Sequence, residues 1–173
     1  MVAYHDGEWG VPVSGDRELF ERLALEGFQA GLAWITILRK REGFRRAFDD
    51  FDPGRVTSYD DSDRARLLAD ASIVRNRAKI DATIGNAAAF LAVAAECGNF
   101  ATYLAGQLPR SAPTLPADAT WADVPASTAE SDGLAADLRR RGFRFVGTTI
   151  IYAFMQSVGL VDDHLPFCFR YRG

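Results

Sequence analysis

Arg139-Arg140-Arg141-Gly142-Phe143-Arg144-Phe145-Val146-Gly147-Thr148 is the stretch on which the fold turns. Just upstream, Ser127 and Glu130 stand at the spacing of a capping box, in which two side chains satisfy the free N–H groups of a first helical turn. That start predicts a helix through Leu134 and Leu138 into the arginine run, stopped by Gly142, since glycine enters the left-handed conformation after a helix without a Cβ penalty. Thr148 then caps a second helix carrying Ile151, Phe154 and Met155 as far as Gly159. Two helices joined by a hairpin bounded by Gly142 and Gly147 result. The unpaired N–H groups opening the second helix, reinforced by its dipole, can hold a phosphate. Arg141 and Arg144 would add charge-assisted donors. The same spacing also suits a plain turn between two packed helices, and both readings stay open at this point.

Outward from the hairpin, helical periodicity continues through the chain. Asp16 caps a helix with Leu19, Phe20, Leu23 and Phe28 on one side, which Gly27 or Gly31 breaks. A second carries Trp34, Ile35 and Leu38 toward Phe44; Pro53 opens a short helical turn, and Ser62 to Ala71 forms another. Val74 to Cys97 is long and alanine-rich, with Ile80, Ile84 and Phe90 facing inward and Gly85-Asn86 as a point of irregularity. Ala101 to Leu108 follows, then a Pro-containing loop from Pro109 to Pro116, the one plausible internal boundary. No run alternates strictly between polar and apolar as a half-buried strand would. The expected fold is all-α: a compact, bundle-like helical domain spanning residues 1–173 and containing the helix-hairpin-helix element.

At 173 residues and 19.0 kDa, the chain can bury roughly two thirds of its unfolded surface around one core. Its 48% hydrophobic and 25% charged residues are those of an ordinary globular protein and exclude intrinsic disorder. No apolar run reaches membrane-spanning length and no secretory signal opens the chain, so the expected location is cytoplasmic, with no membrane partner. Two cysteines, Cys97 and Cys168, are too few for a disulfide framework. The net charge of -3 is not that of a dedicated phosphate binder. Most Lys and Arg residues nevertheless cluster, at 39–46, 75–79, 139–144 and 170–172. They form either a basic face on an acidic body or solvated helix ends, where cations are favourable.

The chemistry-bearing residues lie near the start, in Ala3-Tyr4-His5-Asp6-Gly7-Glu8-Trp9-Gly10-Val11-Pro12 and Leu25-Glu26-Gly27-Phe28-Gln29-Ala30-Gly31-Leu32-Ala33-Trp34-Ile35. Glu26 sits in a mainly apolar helix, where an unpaired carboxylate is costly to bury, so it calls for a partner or a function. Trp34 offers a stacking face for a planar ring and a cation-π surface for a charged one. Tyr4 offers a second wall or a phenolic hydrogen bond. The competing arrangement puts Trp34 in the core and Glu26 at a helix end, exposed or paired with Arg22.

Both segments resemble the 3-methyladenine DNA glycosylase I family. So do Ala33-Trp34-Ile35-Thr36, Val74-Arg75-Asn76-Arg77-Ala78-Lys79-Ile80, Gly85-Asn86-Ala87, the hairpin Arg141 to Ile150, and Asp163-His164, in the right order over almost the whole chain. The resemblance implies a helix-hairpin-helix DNA glycosylase that flips 3-methyladenine out of alkylated double-stranded DNA, cuts its N-glycosidic bond and leaves an abasic site. It implies base recognition by Tyr4, Glu26 and Trp34, with Glu26 as the catalytic residue. DNA contact falls on Arg141, Gly142, Arg144, Gly147 and Thr148, with Leu32 as a wedge at the gap in the base stack. No obligate protein partner is evident.

His164 and Cys168 lie four apart, and His5 is a third candidate ligand. The family ties its termini with a structural zinc held by two Cys and two His, and these three residues match three of those positions. The fourth, a cysteine, belongs to a short segment before Tyr4 that this sequence lacks, which implies a shortened reading frame or a weak or empty site. Two other functions fit the residues less fully. One is a non-catalytic protein that binds alkylated DNA, activity having gone with the N-terminal segment; the other is a metal-dependent phosphohydrolase built on His5-Asp6 and Asp162-Asp163-His164.

Overall fold

Asn76 accepts a hydrogen bond from the backbone N–H of Lys79 and so starts the longest helix, Arg77–Cys97, around which the others are arranged. In the computed structural model, which describes residues 1–108 and 114–172, the described residues form nine α-helices and no strand: α1 Val2–Gly7, α2 Asp16–Gln29, α3 Trp34–Ala47, α4 Pro53–Val56, α5 Asp61–Ala69, α6 Arg77–Cys97, α7 Phe100–Gln107, α8 Ala129–Arg140 and α9 Thr148–Ser157. The expected all-α fold is present. Part of the Pro109–Pro116 loop lies outside the described residues.

Phenylalanine holds the interior together. Phe90 of α6 stacks on Phe100 of α7 at 4.1 Å and meets Phe20 of α2 edge-on at 5.4 Å. Phe28 of α2 contacts Phe44 of α3 at 4.6 Å, and Phe48 stacks on Phe51 at 5.5 Å. All are fully buried, and burial of each side chain relative to exposure is worth about 1.5–3 kcal/mol. α2 is the pivot, packed against α3, α6, α7 and α9, while α8 packs on α9. Every α2 residue from Leu19 to Phe28 is buried. Beyond its first turn, where Arg17 and Glu18 are exposed, the helix has no solvent face on which to put its charges.

Most helix starts differ from the sequence expectation: α5 begins at Asp61 rather than Ser62, α7 at Phe100 rather than Ala101 and α6 at Arg77 rather than Val74, and at three further places the capping residue is displaced by one. The capping box of α8 is Thr128 with Ser131, not Ser127 with Glu130. Gly147, not Thr148, is the N-cap of α9; the Thr148 hydroxyl instead bonds Ser131 and Asp132 of α8. Gly15 precedes α2, and Asp16 reaches across 84 residues to accept from the N–H of Phe100, capping α7 jointly with Asn99. At the other end of α8, Gly142 (φ 93°) donates to Arg139 and Phe143 donates to Leu138, the paired bonds of a Schellman stop. Gly85-Asn86 introduces no break in α6.

The two ends of the chain meet. Gly10 donates to the carbonyl of Gln156 and Val13 to that of Val158, lacing the residues after α1 onto the end of α9. Gly10 has φ 72°, and a Cβ there would fall 2.8 Å from the His164 ring. Only glycine fits that approach.

Candidate active site

Glu26 lies on the buried face of α2 with 5% of its surface exposed, and no hydrogen bond reaches its carboxylate among the described residues. Burial pushes its pKa up to about 8, against the opposing pull of Arg22 one turn earlier. The arrangement with Glu26 solvated at a helix end is therefore excluded. Tyr4, at 6% exposure on α1, and Trp34, the first residue of α3, stand 5.3 Å apart at 48°. Burial and then the charge of Glu26 push the Tyr4 phenol up to about 12. The indole N–H of Trp34 is buried and has no partner.

These three side chains line one cavity of about 670 Å³, with Gln29, Trp9 and His164 in the same wall. It continues toward Trp121, Phe167 and Phe169, each about three quarters exposed. Its chemistry is specific: aromatic faces, an unsatisfied donor and an unsatisfied acid in an otherwise apolar pocket. A flat heterocycle carrying positive charge and N–H groups answers all three. Leu32 sits at the apex of the adjoining α2–α3 turn, 38% exposed, where Gln29 donates to its carbonyl and Gly31 takes φ 77°.

A second cluster borders the cavity. His5, His164 and Cys168 bring one ligand atom each within 4.8 Å of one another. His5 Nδ1 bonds Asp6 at 2.8 Å and His164 Nδ1 bonds Asp162 at 2.6 Å, leaving both Nε2 atoms directed inward. His5 Nε2 is 3.5 Å from Cys168 Sγ, while His164 Nε2 is buried without a partner. Two imidazoles and a thiol, each imidazole oriented by a carboxylate, make a donor set suited to zinc. Cys97, at the end of α6, is not among them. Asp163 is committed elsewhere, accepting from Tyr152 and Gln156 at 2.7 Å each. That removes a ligand from the phosphohydrolase arrangement.

The α8–α9 turn is held by Asn86, whose side chain donates to the carbonyl of Arg144 at 2.9 Å and accepts from its N–H at 2.8 Å. Arg144 points outward with no ion-pair partner among the described residues, and the turn continues through Phe145 at φ 53°. Arg141 is occupied by Asp137 and Glu96. Gly142 and Gly147 bound the turn, with nothing within 4 Å of where a Cβ would stand at either.

The basic clusters prove heterogeneous. Arg41 and Arg45 pair with Glu8 and Glu21, and Lys79 is buried at 7% exposure, donating to the carbonyls of Phe28 and Ala30 at the end of α2. Arg39, Arg75 and Arg77 stay exposed. Sequence reasoning missed Trp9, which packs edge-on to His164 at 4.6 Å, and Gln29, and it assigned no role to Asn86. Trp9 and Gln29 lie inside the two N-terminal motifs and Asn86 inside Gly85-Asn86-Ala87, so membership of those motifs was the available signal. Asp162, read as a direct ligand in the phosphohydrolase arrangement, instead orients His164.

With that geometry in hand, the chain can be set beside known proteins. A family model described as methyladenine glycosylase matches residues 1–171. DNA-3-methyladenine glycosylase 1 of Escherichia coli is 46% identical over 172 residues, covering 99% of this chain and 91% of that protein. A crystal structure of 3-methyladenine DNA glycosylase I superposes with a TM-score of 0.93 at 48% identity, covering 98% of this chain and 93% of the other. The Staphylococcus aureus 3-methyladenine DNA glycosylase I, solved to explain 3-methyladenine recognition, gives 0.92 at 33% identity, with 97% and 89% covered. Fold and sequence agree over almost the whole of this chain, and the chain belongs to the methyladenine glycosylase family.

Proposed function

We infer that this protein excises 3-methyladenine from alkylated double-stranded DNA by hydrolysing the N-glycosidic bond, leaving an abasic site in the first step of repair. The observation that carries the reading is Glu26: a buried acid without a partner, beside Tyr4 and Trp34 in one cavity. The names of the matched relatives give independent support. Its substrate is chromosomal DNA in the cytoplasm.

An adenine methylated at N3 and still joined to deoxyribose through N9 is a cation. As the bond from C1′ to N9 breaks, the electron pair passes to the ring and the base leaves neutral, so no general acid is needed. Trp34 and Tyr4, in contact with each other 5.3 Å apart, offer adjoining aromatic surfaces on which the extruded ring packs, recovering about 1–3 kcal/mol against an unstacking cost of a few kcal/mol. Glu26 as carboxylate accepts hydrogen bonds from the base edge. It also stabilises positive charge building on the sugar, or orients the water whose oxygen joins C1′ and whose proton is released. It is not assigned as a nucleophile.

DNA is held from the other side of the pocket. The backbone N–H groups of Gly147 and Thr148 and the glycines of the α8–α9 hairpin receive a phosphate, and Arg144 adds a charge-assisted contact. Arg141 acts by fixing the end of α8 through Asp137 and Glu96. Leu32 fills the space the extruded base vacates. His5, His164 and Cys168 would hold a zinc whose part is structural, tying α1 to the C-terminal segment. Metal-to-protein stoichiometry by atomic spectroscopy checks this: zinc retained by the purified chain and lost from C168S supports the site, and equal content in both rejects it.

The activity is tested by incubating the protein with methylated duplex DNA and measuring free 3-methyladenine by mass spectrometry. Release by the wild-type chain and loss of release in E26Q support the reading. Tight, salt-sensitive binding without release would leave a binding protein only, and phosphodiester cleavage without base release would indicate a phosphohydrolase.

A further inference from the structure

The wall behind Tyr4 presents a problem for a cationic ligand. Arg22, 6% exposed, lies over the Tyr4 ring with its guanidinium carbon 5.7 Å from the centroid, one helical turn from Glu26. Its Nη1 is buried without a partner. Arg41 of α3 approaches the same point. Two guanidinium groups behind a pocket wall would repel a positively charged base.

One carboxylate answers both. Glu8, just past α1, accepts from Arg41 through both oxygens, at 2.5 and 3.0 Å, and from Arg22 at 3.2 Å. Glu18 is the other anion on Arg22, also at 3.2 Å, but it is half exposed and screened by solvent. Glu8 is 31% exposed and closes the network from the protein side. We propose that Glu8 is a specificity-determining residue for the cationic form of the base: held between Arg22 and Arg41, it cancels their charge behind Tyr4 so that Glu26 presents a net negative field to the pocket.

The two arginines repay this service by fixing Glu8, and through it α1, against α2 and α3. Tethering and charge cancellation therefore coincide in one residue, and a test has to separate them. Chemistry supplies the means, because the base is a cation while joined to DNA and uncharged once released in mildly alkaline buffer. Loss of a tether weakens recognition of both forms. Loss of charge cancellation weakens only the cation.

The inference rests on Tyr4, Glu26 and Trp34 forming the base pocket, and E26Q serves as the control for that premise. Single-turnover excision from methylated duplex at sub-saturating protein, where the rate reports recognition of the base as well as the chemical step, is measured beside the affinity for free 3-methyladenine in mildly alkaline buffer, read by tryptophan fluorescence. In E8Q, excision falls at least about tenfold, as expected for an uncancelled charge at this range, while free-base affinity stays within about threefold. E8Q/R41Q, which removes one charge of each sign, regains most of the excision rate. R41Q alone leaves Glu8 on Arg22 and keeps wild-type excision, so it decides the matter if E8Q does not fold. Excision by E8Q within twofold of wild type, equal losses of excision and free-base affinity, or a tenfold loss in R41Q would each overturn the proposal. If E26Q excises normally, the pocket reading has failed instead.

Discussion

Glu26 and Lys79 are both ionisable, both buried to within a few per cent, and adjacent to opposite sides of the end of α2, yet their surroundings differ in kind. Lys79 donates to two carbonyls at 2.8 and 2.6 Å, closing the C-terminal end of α2 where free carbonyls collect. Glu26 has no such bonds. A buried charge with its partners in place is part of the framework, while a buried charge without them holds chemical potential that a ligand can use. Burial does not separate structural from functional groups in this protein; satisfaction of hydrogen bonds does.

The comparison breaks first, and most visibly, at Glu26. E26Q keeps the volume and removes the charge, and the excision rate drops by at least about a hundredfold, on the scale of losing one electrostatic contact to a transition state. Its circular dichroism stays native and its thermal unfolding stays cooperative. If E26Q were instead unfolded, Glu26 would belong with the framework and the distinction would be lost.

K79M produces the reverse pattern. Two carbonyls lose a charged donor, at a cost of roughly 2–4 kcal/mol. In a chain of this size that lowers the melting temperature by about 5–15 °C. Excision measured below the transition remains close to wild type. A K79M chain that melts normally but fails to excise would place Lys79 in the chemistry.

pH sharpens the contrast further. The Glu26 carboxyl loses its proton near the ordinary value when unfolded and only at about 8 in the folded, ligand-free protein. Between those values the folded chain holds the extra proton, so stability declines as pH rises through that window. The contribution is full below the unfolded value and gone above the folded one. Thermal melts across about pH 5 to 8 show this decline in the wild type and a flatter profile in E26Q.

Much of this was legible before any coordinates. Eight of the nine helices among the described residues are foreshadowed by helical spacing, as at Phe20 and Leu23 of α2, Ile80 and Ile84 of α6, and Ile151 and Phe154 of α9, whereas α1, only six residues long, left no such pattern. Helix starts were less so. At Ser127-Thr128 and Gly147-Thr148 neighbouring residues compete for the same role: Ser131 in the first turn of α8 selects Thr128, while Ser131 and Asp132, reaching from α8, draw the Thr148 hydroxyl away from the start of α9. Tyr4, Glu26 and Trp34 were legible as a set through the resemblance of their motifs, but their 5.3 Å aromatic contact and shared cavity were not. Lys79 read as one of a basic run because its two acceptors lie 49 and 51 residues away. Glu8 drew no role of its own from the sequence for the same reason, its arginines being 14 and 33 residues distant.

The meeting of α1 with the segment after α9 bears on what a shortened chain can do. Tyr4 and His5 lie on α1, whereas His164 and Cys168, which line the same cavity, follow α9. A chain clipped before α9 keeps Tyr4, Glu26 and Trp34 but loses Ala153, Gln156, His164 and Cys168, and with them the wall that closes the cavity around a base. Cleavage at the C-terminal side thus disarms the protein without touching the three residues that meet the base.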